Sequence, residues 1–330
     1  MANVPDIYFL PEWGKYFETQ EEQGKWTMFE FKNDLGHINY QFIARPVPVD
    51  TGAITYYDII TPYGFSGPIV LECQEGKRQE LVAEYDSAFQ QYCEENNIVT
   101  EYVRFNPWIQ NVKNFEHLYS FRNNGDMIYI DLTVEDFFMD EFSPKSRTQV
   151  RKAQKNNVEI ELDFTGETVG EFHRLYDITA KRNGINNDYY LFSEEFFQKS
   201  FEIFKGKQFL LNAKYEGEYI SSSLILHYGD YMHSHLTAND PDYFHLAANS
   251  LIQYEACRWG IENNKKEFQL GGTAPYENLH RFKKGFTKTK ALDLVIGKKI
   301  RLQKTYDQLV DRKMENGGIK VMGYFPLYRG

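Results

Sequence analysis

Residues 208–239 read QFLLNAKYEGEYISSSLILHYGDYMHSHLTAN, three apolar-rich runs broken by Glu216-Gly217 and by Gly229-Asp230. Short turn pairs of this type between β-prone runs predict three strands joined by hairpin turns. Upstream, VEIELDF (158–164) alternates as a strand, while EFHRLYDITAKR (171–182) and SEEFFQKSFEIF (193–204) carry apolar residues at helical spacing, the second opening on Ser193 as an N-cap. Downstream, NSLIQYEACRWGIENN (249–264) reads as a long amphipathic helix, KEFQL as a strand and ALDLVIG as a last strand. Between those two strands lies GGTAPYENLHRFKKGF (271–286), two glycines followed by cations interleaved with aromatics.

The resulting order, β-α-α-β-β-β-α-β-α-β, resembles that of the GNAT acyltransferase fold, a mixed sheet whose central strands part to admit an acyl donor. The first half repeats it in shortened form. WTMFEFK and HINYQFIAR read as a hairpin around Asp34-Leu35-Gly36, ITYYDII as a third strand, LVAEYDSAFQQYCEENN as a helix and IVTEYVRF as the strand after it. Helix ends recur as CEENN-IVTEYVRF and IENN-KKEFQLGG, which places Asn96 opposite Asn263 and favours an internal duplication. MIYIDL (127–132) and the basic helical stretch SPKSRTQVRKAQKNN (143–157) read as the link between halves. The expectation is an α+β protein of two GNAT-like (acyl-CoA N-acyltransferase-like) domains, residues 1–142 and 143–330, each a mixed sheet flanked by helices.

A chain of 330 residues fits two domains. Its net charge of −10 argues against indiscriminate nucleic-acid binding and against stable DNA binding. Charge is unevenly placed, because His280 to Lys304 holds nine Lys or Arg against Asp293 alone. A local reversal of this kind suits capture of an anionic ligand, although charge runs are commonly solvated faces. Cys73, Cys93 and Cys257 are far apart, which indicates neither a disulfide framework nor a zinc site and suggests a reducing compartment. The first residues lack the pattern of a secretory leader and no apolar run has bilayer length, so a cytoplasmic location is expected, with peripheral contact at a membrane surface left open.

Three segments, SPKSRTQVRKAQKNNVEI, ANSLIQYEACRWGIENNKKEFQLGGT and LHRFKKGF, together resemble the FemABX family of aminoacyltransferases, and TPYGFSGPIV is similar to that family's N-terminal half. The resemblance implies transfer of an aminoacyl group from tRNA to an amine on a peptidoglycan precursor, a muropeptide linked to a nucleotide or lipid pyrophosphate. Aminoacyl-tRNA would be the co-substrate, held by its acceptor end, and no cofactor is implied. On this reading Lys283 meets a phosphate or a developing oxyanion and Phe282 stacks a base, with Arg281 and Lys284 adding positive field. Tyr63 and Gly64, in the rigid turn after a strand, fall in the half that contributes the precursor site. Arg104, at the end of IVTEYVRF, suits a phosphate. Thr179, Arg182 and Tyr189 fall where the family binds the precursor's anionic part. Amide formation needs positioning and oxyanion stabilisation more than a protein nucleophile. For a general base Asp58, Glu255 and the substrate itself all stay open.

The alternative from the same fold is a CoA-dependent N-acyltransferase, using acetyl-CoA or another acyl-CoA on an amino sugar or envelope precursor; a noncatalytic tRNA- or glycan-binding protein is a third reading. Against CoA stands the loop Asp242 to Asn249, which has no glycine where CoA-binding members carry Q/R-x-x-G-x-G/A, although the helix opening at Asn249 still offers free N–H donors. His227, His233 and His235 invite a metal hypothesis, since positions 233 and 235 share one strand face, but no third ligand follows at metal-site spacing, so no metal is expected. Ser221 to Ser223 lack a G-x-S-x-G elbow, and no G-x-G-x-x-G or Walker A sequence occurs.

Overall fold

The computed structural model describes residues 4–21, 23–52, 54–185, 190–273, 276–321 and 323–330. Contacts divide the chain into two compact units, one of residues 1–4, 8–124 and 293–330, the other of residues 5–7 and 125–292. This differs from a single cut after residue 142, because each unit takes one strand from outside its own half of the sequence.

The first unit opens with α1 (Pro11–Phe17) and builds its sheet from β1 (Lys25–Asn33), β2 (Gly36–Pro46), β3 (Tyr57–Ile60) and β4 (Ile69–Cys73), then α2 (Arg78–Glu95) and β5 (Ile98–Arg104). β1, β3 and β4 each pair antiparallel with β2, and β3 runs parallel to β5. α2 lays Leu81, Val82, Tyr85 and Phe89 on the sheet against Tyr40 and Phe42, all buried. Burial of four such side chains contributes roughly 6–12 kcal/mol of hydrophobic driving force.

The second unit contains β6 (Ser120–Asp131, from Gly125 on), α3 (Phe137–Asp140), α4 (Pro144–Lys155), β7 (Glu159–Asp163), α5 (Val169–Arg182), α6 (Glu194–Ile203), β8 (Gln208–Tyr215), β9 (Glu218–Tyr228), β10 (Tyr231–Asn239), α7 (Ala248–Glu262), β11 (Glu267–Gly272) and α8 (Glu277–Lys284). The three expected strands are present, and the Glu216-Gly217 turn has positive φ at both positions (51° and 88°), as a twisted two-residue hairpin requires. Ser193 caps α6, accepting from Phe196 N at 3.1 Å. A polar chain crosses the sheet: Ser222 Oγ donates to Asn212 Oδ1, Asn212 Nδ2 to Thr168 Oγ1, and Thr168 Oγ1 to Asp163 Oδ2, at 2.6–2.8 Å. Burial pushes the Asp163 carboxyl up, but hydrogen bonds from Thr168 and Thr165 outweigh it and hold it at about 2.

The last strand, β12 (Leu292–Ile300), does not close the second sheet. From Ile296 to Ile300 it pairs antiparallel with β5 of the first unit. The place beside β11 is taken by β6, the stretch read from sequence as a link. α9 (Gln303–Glu315) follows in the first unit and buries Tyr306 and Leu309 against Val49, Val99 and Tyr328.

The duplication is visible in strand order, with β3 parallel to β5 as β10 is to β11 and a long helix between each pair. Asn96 and Asn263 terminate α2 and α7 alike, their Nδ2 atoms donating to Tyr92 O and Trp259 O, and Asn97 and Asn264 follow at φ 55° and 57°. Asn156-Asn157 ends α4 in the same way. The Asn-Asn ending is therefore a general C-cap of this chain, and the strand order carries the case for repetition.

Candidate active site

β10 and β11 pair over three residues only, Tyr231–His233 with Glu267–Gln269. Beyond this point both strands are irregular, β10 between Ser234 and Leu236, β11 between Gln269 and Gly271. Parted strands leave backbone and side chains to line a space. A cavity of roughly 1350 Å³ opens there within the second unit, bordered by β10, the start of α7, α4, the end of α5 and the whole of α8. Its size exceeds the ~300–1,000 Å³ of most small-molecule sites and suits two substrates meeting.

The β10 bulge breaks the alternation that sequence alone predicted. His233 turns to Asp6, with Nε2 and Oδ2 2.8 Å apart, whereas His235 borders the cavity beside Ser234 and Thr237. The two histidines thus face different surroundings. Burial, then the neighbouring His233, pushes His235 down to about 3, so it stands neutral.

Seven of the expected site residues line this cavity: Thr179, Arg182, Asn249, Arg281, Phe282, Lys283 and Lys284. Lys283, half-buried, donates from Nζ to Gly272 O at 2.9 Å, and no carboxylate lies within ion-pair distance among the described residues. Burial pushes its ammonium down to about 8. Lys284 Nζ is committed to Thr289 O at 2.9 Å. Phe282 rests edge-on against buried Phe286, centroids 4.9 Å apart, leaving 36% of its surface exposed. Thr179 spends its hydroxyl on the backbone of Asn239, donating to O at 3.2 Å and accepting from N at 2.9 Å, so it ties α5 to β10. Asn249 Oδ1 accepts from Gln253 Nε2 at 3.2 Å on the first turns of α7. Arg182, at the end of α5, is exposed.

The other expectations lie elsewhere. Tyr63, Gly64 and Arg104 belong to the first unit and do not line this cavity. Tyr63 stacks on Phe17 and its carbonyl accepts from Trp13 Nε1 at 2.6 Å. Gly64 sits at φ 91°, where a Cβ would lie 2.3 Å from the Tyr8 ring, so only glycine fits. Arg104, half-buried, donates from Nη2 to Thr61 O at 2.9 Å and has no carboxylate partner among the described residues. Tyr189 lies outside the described residues. Both side-chain candidates for a base are occupied elsewhere: Asp58 is buried between Arg45 and Arg329, and Glu255 pairs with Arg258 at 3.1 Å.

The basic segment is also divided. Arg281 to Lys290 stays with the second unit, while Lys299 and Arg301 enter the first, where Lys299 and Arg301 both meet Asp86 at 2.7 Å and Arg301 also binds buried Glu101. Those two cations are neutralised internally.

Glu141 was not visible in the sequence as a site residue. Its buried carboxylate accepts from Thr287 Oγ1, from Thr289 Oγ1 at 3.0 Å and from Lys288 N at 3.1 Å. Ser143 N donates to Gly285 O at 2.9 Å, and a Cβ on Gly285 would fall 2.7 Å from Ser146 Oγ. The C-terminal end of α8, and with it Lys283, is thereby fixed to the start of α4. No local pattern predicts a pairing between positions so far apart in the chain.

The acetyltransferase (GNAT) domain family matches residues 144–284, the stretch that lines the cavity. No curated protein matches the chain by sequence. Among solved structures it is similar to FemX, at TM-score 0.72 and 14% identity over 92% of this chain and 94% of that one. It is also similar to the C-terminal domain (DUF2156) of a putative lysylphosphatidylglycerol synthetase from Agrobacterium fabrum, at TM-score 0.58, 12% identity and 94% and 98% coverage. A tandem GNAT protein from the clavulanic acid biosynthesis pathway follows at TM-score 0.51, 8% identity and 85% and 84% coverage. Two GNAT-like domains are thus the architecture of this chain, the second of them an acyltransferase domain, and the likeness to FemABX proteins holds in the fold.

Proposed function

We propose that the chain is an aminoacyltransferase that joins an activated aminoacyl group, carried on tRNA, to an amine of a peptidoglycan precursor. The amine attacks the acyl carbon, the C–N bond forms, and the ester C–O bond breaks with the proton passing to the leaving 3′-oxygen. Lys283 carries the reading: a half-buried ammonium free of any carboxylate among the described residues, at the point where β10 and β11 part, is placed to stabilise the oxyanion of the tetrahedral intermediate. The cavity's excess of cations, Lys145, Arg182, Arg281, Lys283 and Lys284 against Asp240 and Glu277, suits two polyanionic substrates. The similarity in fold to FemX supports the reading. Tyr63, Gly64 and Arg104 are assigned to the precursor on the family resemblance, as is Tyr189.

A calorimetric comparison of aminoacyl-tRNA, acetyl-CoA and a nucleotide-linked muropeptide tests the reading. Saturable binding of the first and third is expected, with amide formed when both are present. Binding of acetyl-CoA alone would replace it by the second reading, CoA-dependent acylation of an amine on an envelope precursor, which the acetyltransferase family match favours.

A further inference from the structure

Phe244 stands on the cavity rim with 53% of its surface exposed. It is not at the tip of a loose loop. Its six-residue 3-10 turn, Pro241–Leu246, opens on a proline, is capped by Asp240 accepting from Asp242 N at 3.0 Å, and is tied down where Asp240 N donates to Ile220 O at 3.0 Å. Folding therefore holds a large apolar ring in solvent on a rigid support, where it gains little from burial. Its partner is Arg182, whose guanidinium carbon lies 4.9 Å from the ring centroid. Arg182 also donates from Nε to Asn183 Oδ1 at 3.3 Å, and it meets no carboxylate within ion-pair distance among the described residues. One face of the ring thus carries a cation with no carboxylate partner among the described residues while the ring keeps half its surface open, and the cavity it borders is lined by Lys145, Arg281 and Lys284 as well as Asp240 and Glu277. An aromatic face beside a cation is the chemistry that holds a nucleotide, base on ring and phosphate on guanidinium.

We propose that Phe244 and Arg182 form a nucleotide subsite at the cavity mouth, stacking one base of a substrate and binding its phosphate. The subsite rests on the reading that the cavity takes a phosphate-bearing ligand, and three sources share the chemistry: the 3′ end of an RNA, the nucleotide of a nucleotide-linked acceptor, and the nucleotide end of CoA. Calorimetry with an RNA stem ending in CCA, with uridine diphosphate and with CoA, on the wild type and on Phe244→Ala, Phe244→Leu, Phe244→Tyr and Arg182→Gln, separates them. For at least one probe Phe244→Ala and Phe244→Leu should weaken binding about tenfold or more, as loss of stacking does, while Phe244→Tyr restores it. Arg182→Gln should weaken the same probe and flatten its salt dependence. Melting temperatures should not move, since both side chains are exposed. A response confined to CoA would keep the subsite and remove the tRNA reading; RNA that binds while no probe responds to any variant would do the reverse. The subsite is overturned if no probe binds, if Phe244→Ala leaves all three affinities unchanged, or if Phe244→Leu binds like the wild type.

Discussion

Lys283 Nζ donates to the carbonyl of Gly272 at 2.9 Å, and the neighbouring Gly271 turns through φ 86°, where a Cβ would approach that same nitrogen to 3.3 Å. The glycine pair at the end of β11 is thus the seat of the lysine. It also explains why two glycines precede the cations in this sequence.

Replacement of Lys283 by Met should cut acyl transfer by about a hundredfold or more, the usual cost of losing an oxyanion donor. Stability should move the other way. Unfolded lysine titrates at 10.5 and the folded group at about 8, so between these values the unfolded chain binds more protons and wild-type stability rises with pH. Below pH 8 the buried charge is a full burden, on the order of 1–3 kcal/mol after solvent screening. Denaturant melts should find Lys283→Met more stable than the wild type at pH 7, with the gap closing towards pH 10. A less stable variant at pH 7 would show that the ammonium is not under strain.

Glu141→Gln should cost about 2–4 kcal/mol, because the amide keeps the shape but turns donors towards the donors of residues 287–289. Where the variant is still folded, turnover should fall more than substrate affinity, since α8 loses its anchor while the cavity walls stay. Steady-state kinetics give the split, and a change confined to KM would contradict it.

Arg301→Met should destabilise the first unit by roughly 3–5 kcal/mol, leaving Glu101 charged and buried without its partner. Arg281→Gln and Lys284→Gln should leave the melting point nearly unchanged and flatten the salt dependence of RNA binding, by about 0.7 in log-log slope for each phosphate that is no longer neutralised. Equal salt slopes in wild type and the double variant would mean that the cavity rim does not meet RNA.

Ala247 begins α7 at φ 58°, a left-handed conformation that costs a residue with a Cβ about 1–2 kcal/mol. Ala247→Gly should therefore raise stability by about 1 kcal/mol and bring the N-terminal amides of α7 closer to a ligand phosphate. Thermal melts decide the first part. If acetyl-CoA binds the wild type weakly, this variant should bind it more tightly.

Local patterns made most of this molecule legible. The hairpin at Glu216-Gly217, the cap at Ser193 and the long helix ending at Asn263 follow from neighbours in sequence, and so does the cluster from Arg281 to Lys284 that lines the cavity. Partners distant in the chain were not legible. The exchange of β6 and β12 leaves each strand with the same pattern of apolar residues whichever sheet it joins. Arg301 reads as one more cation of a basic run until Glu101 and Asp86 are seen beside it. The bulge at His235 is invisible to a rule of strict alternation, and Phe244 looks like an ordinary core aromatic until its turn is seen to hold it out.

The same exchange sets an order of events during synthesis. β12 leaves the ribosome after every residue of the second unit, so the sheet begun by β1 waits for its final strand while residues 125–292 are made. At rates of ~5–20 residues per second that delay is roughly ten to thirty seconds, during which the β5 edge has no partner from β12. The second unit meets no such delay, because β6 is its own first strand and is ready to pair when β11 emerges. Released chains ending at residue 292 should hold a protease-resistant second unit and a first unit that is still cut, and a gene fragment ending at residue 124 would yield an open-edged sheet prone to association.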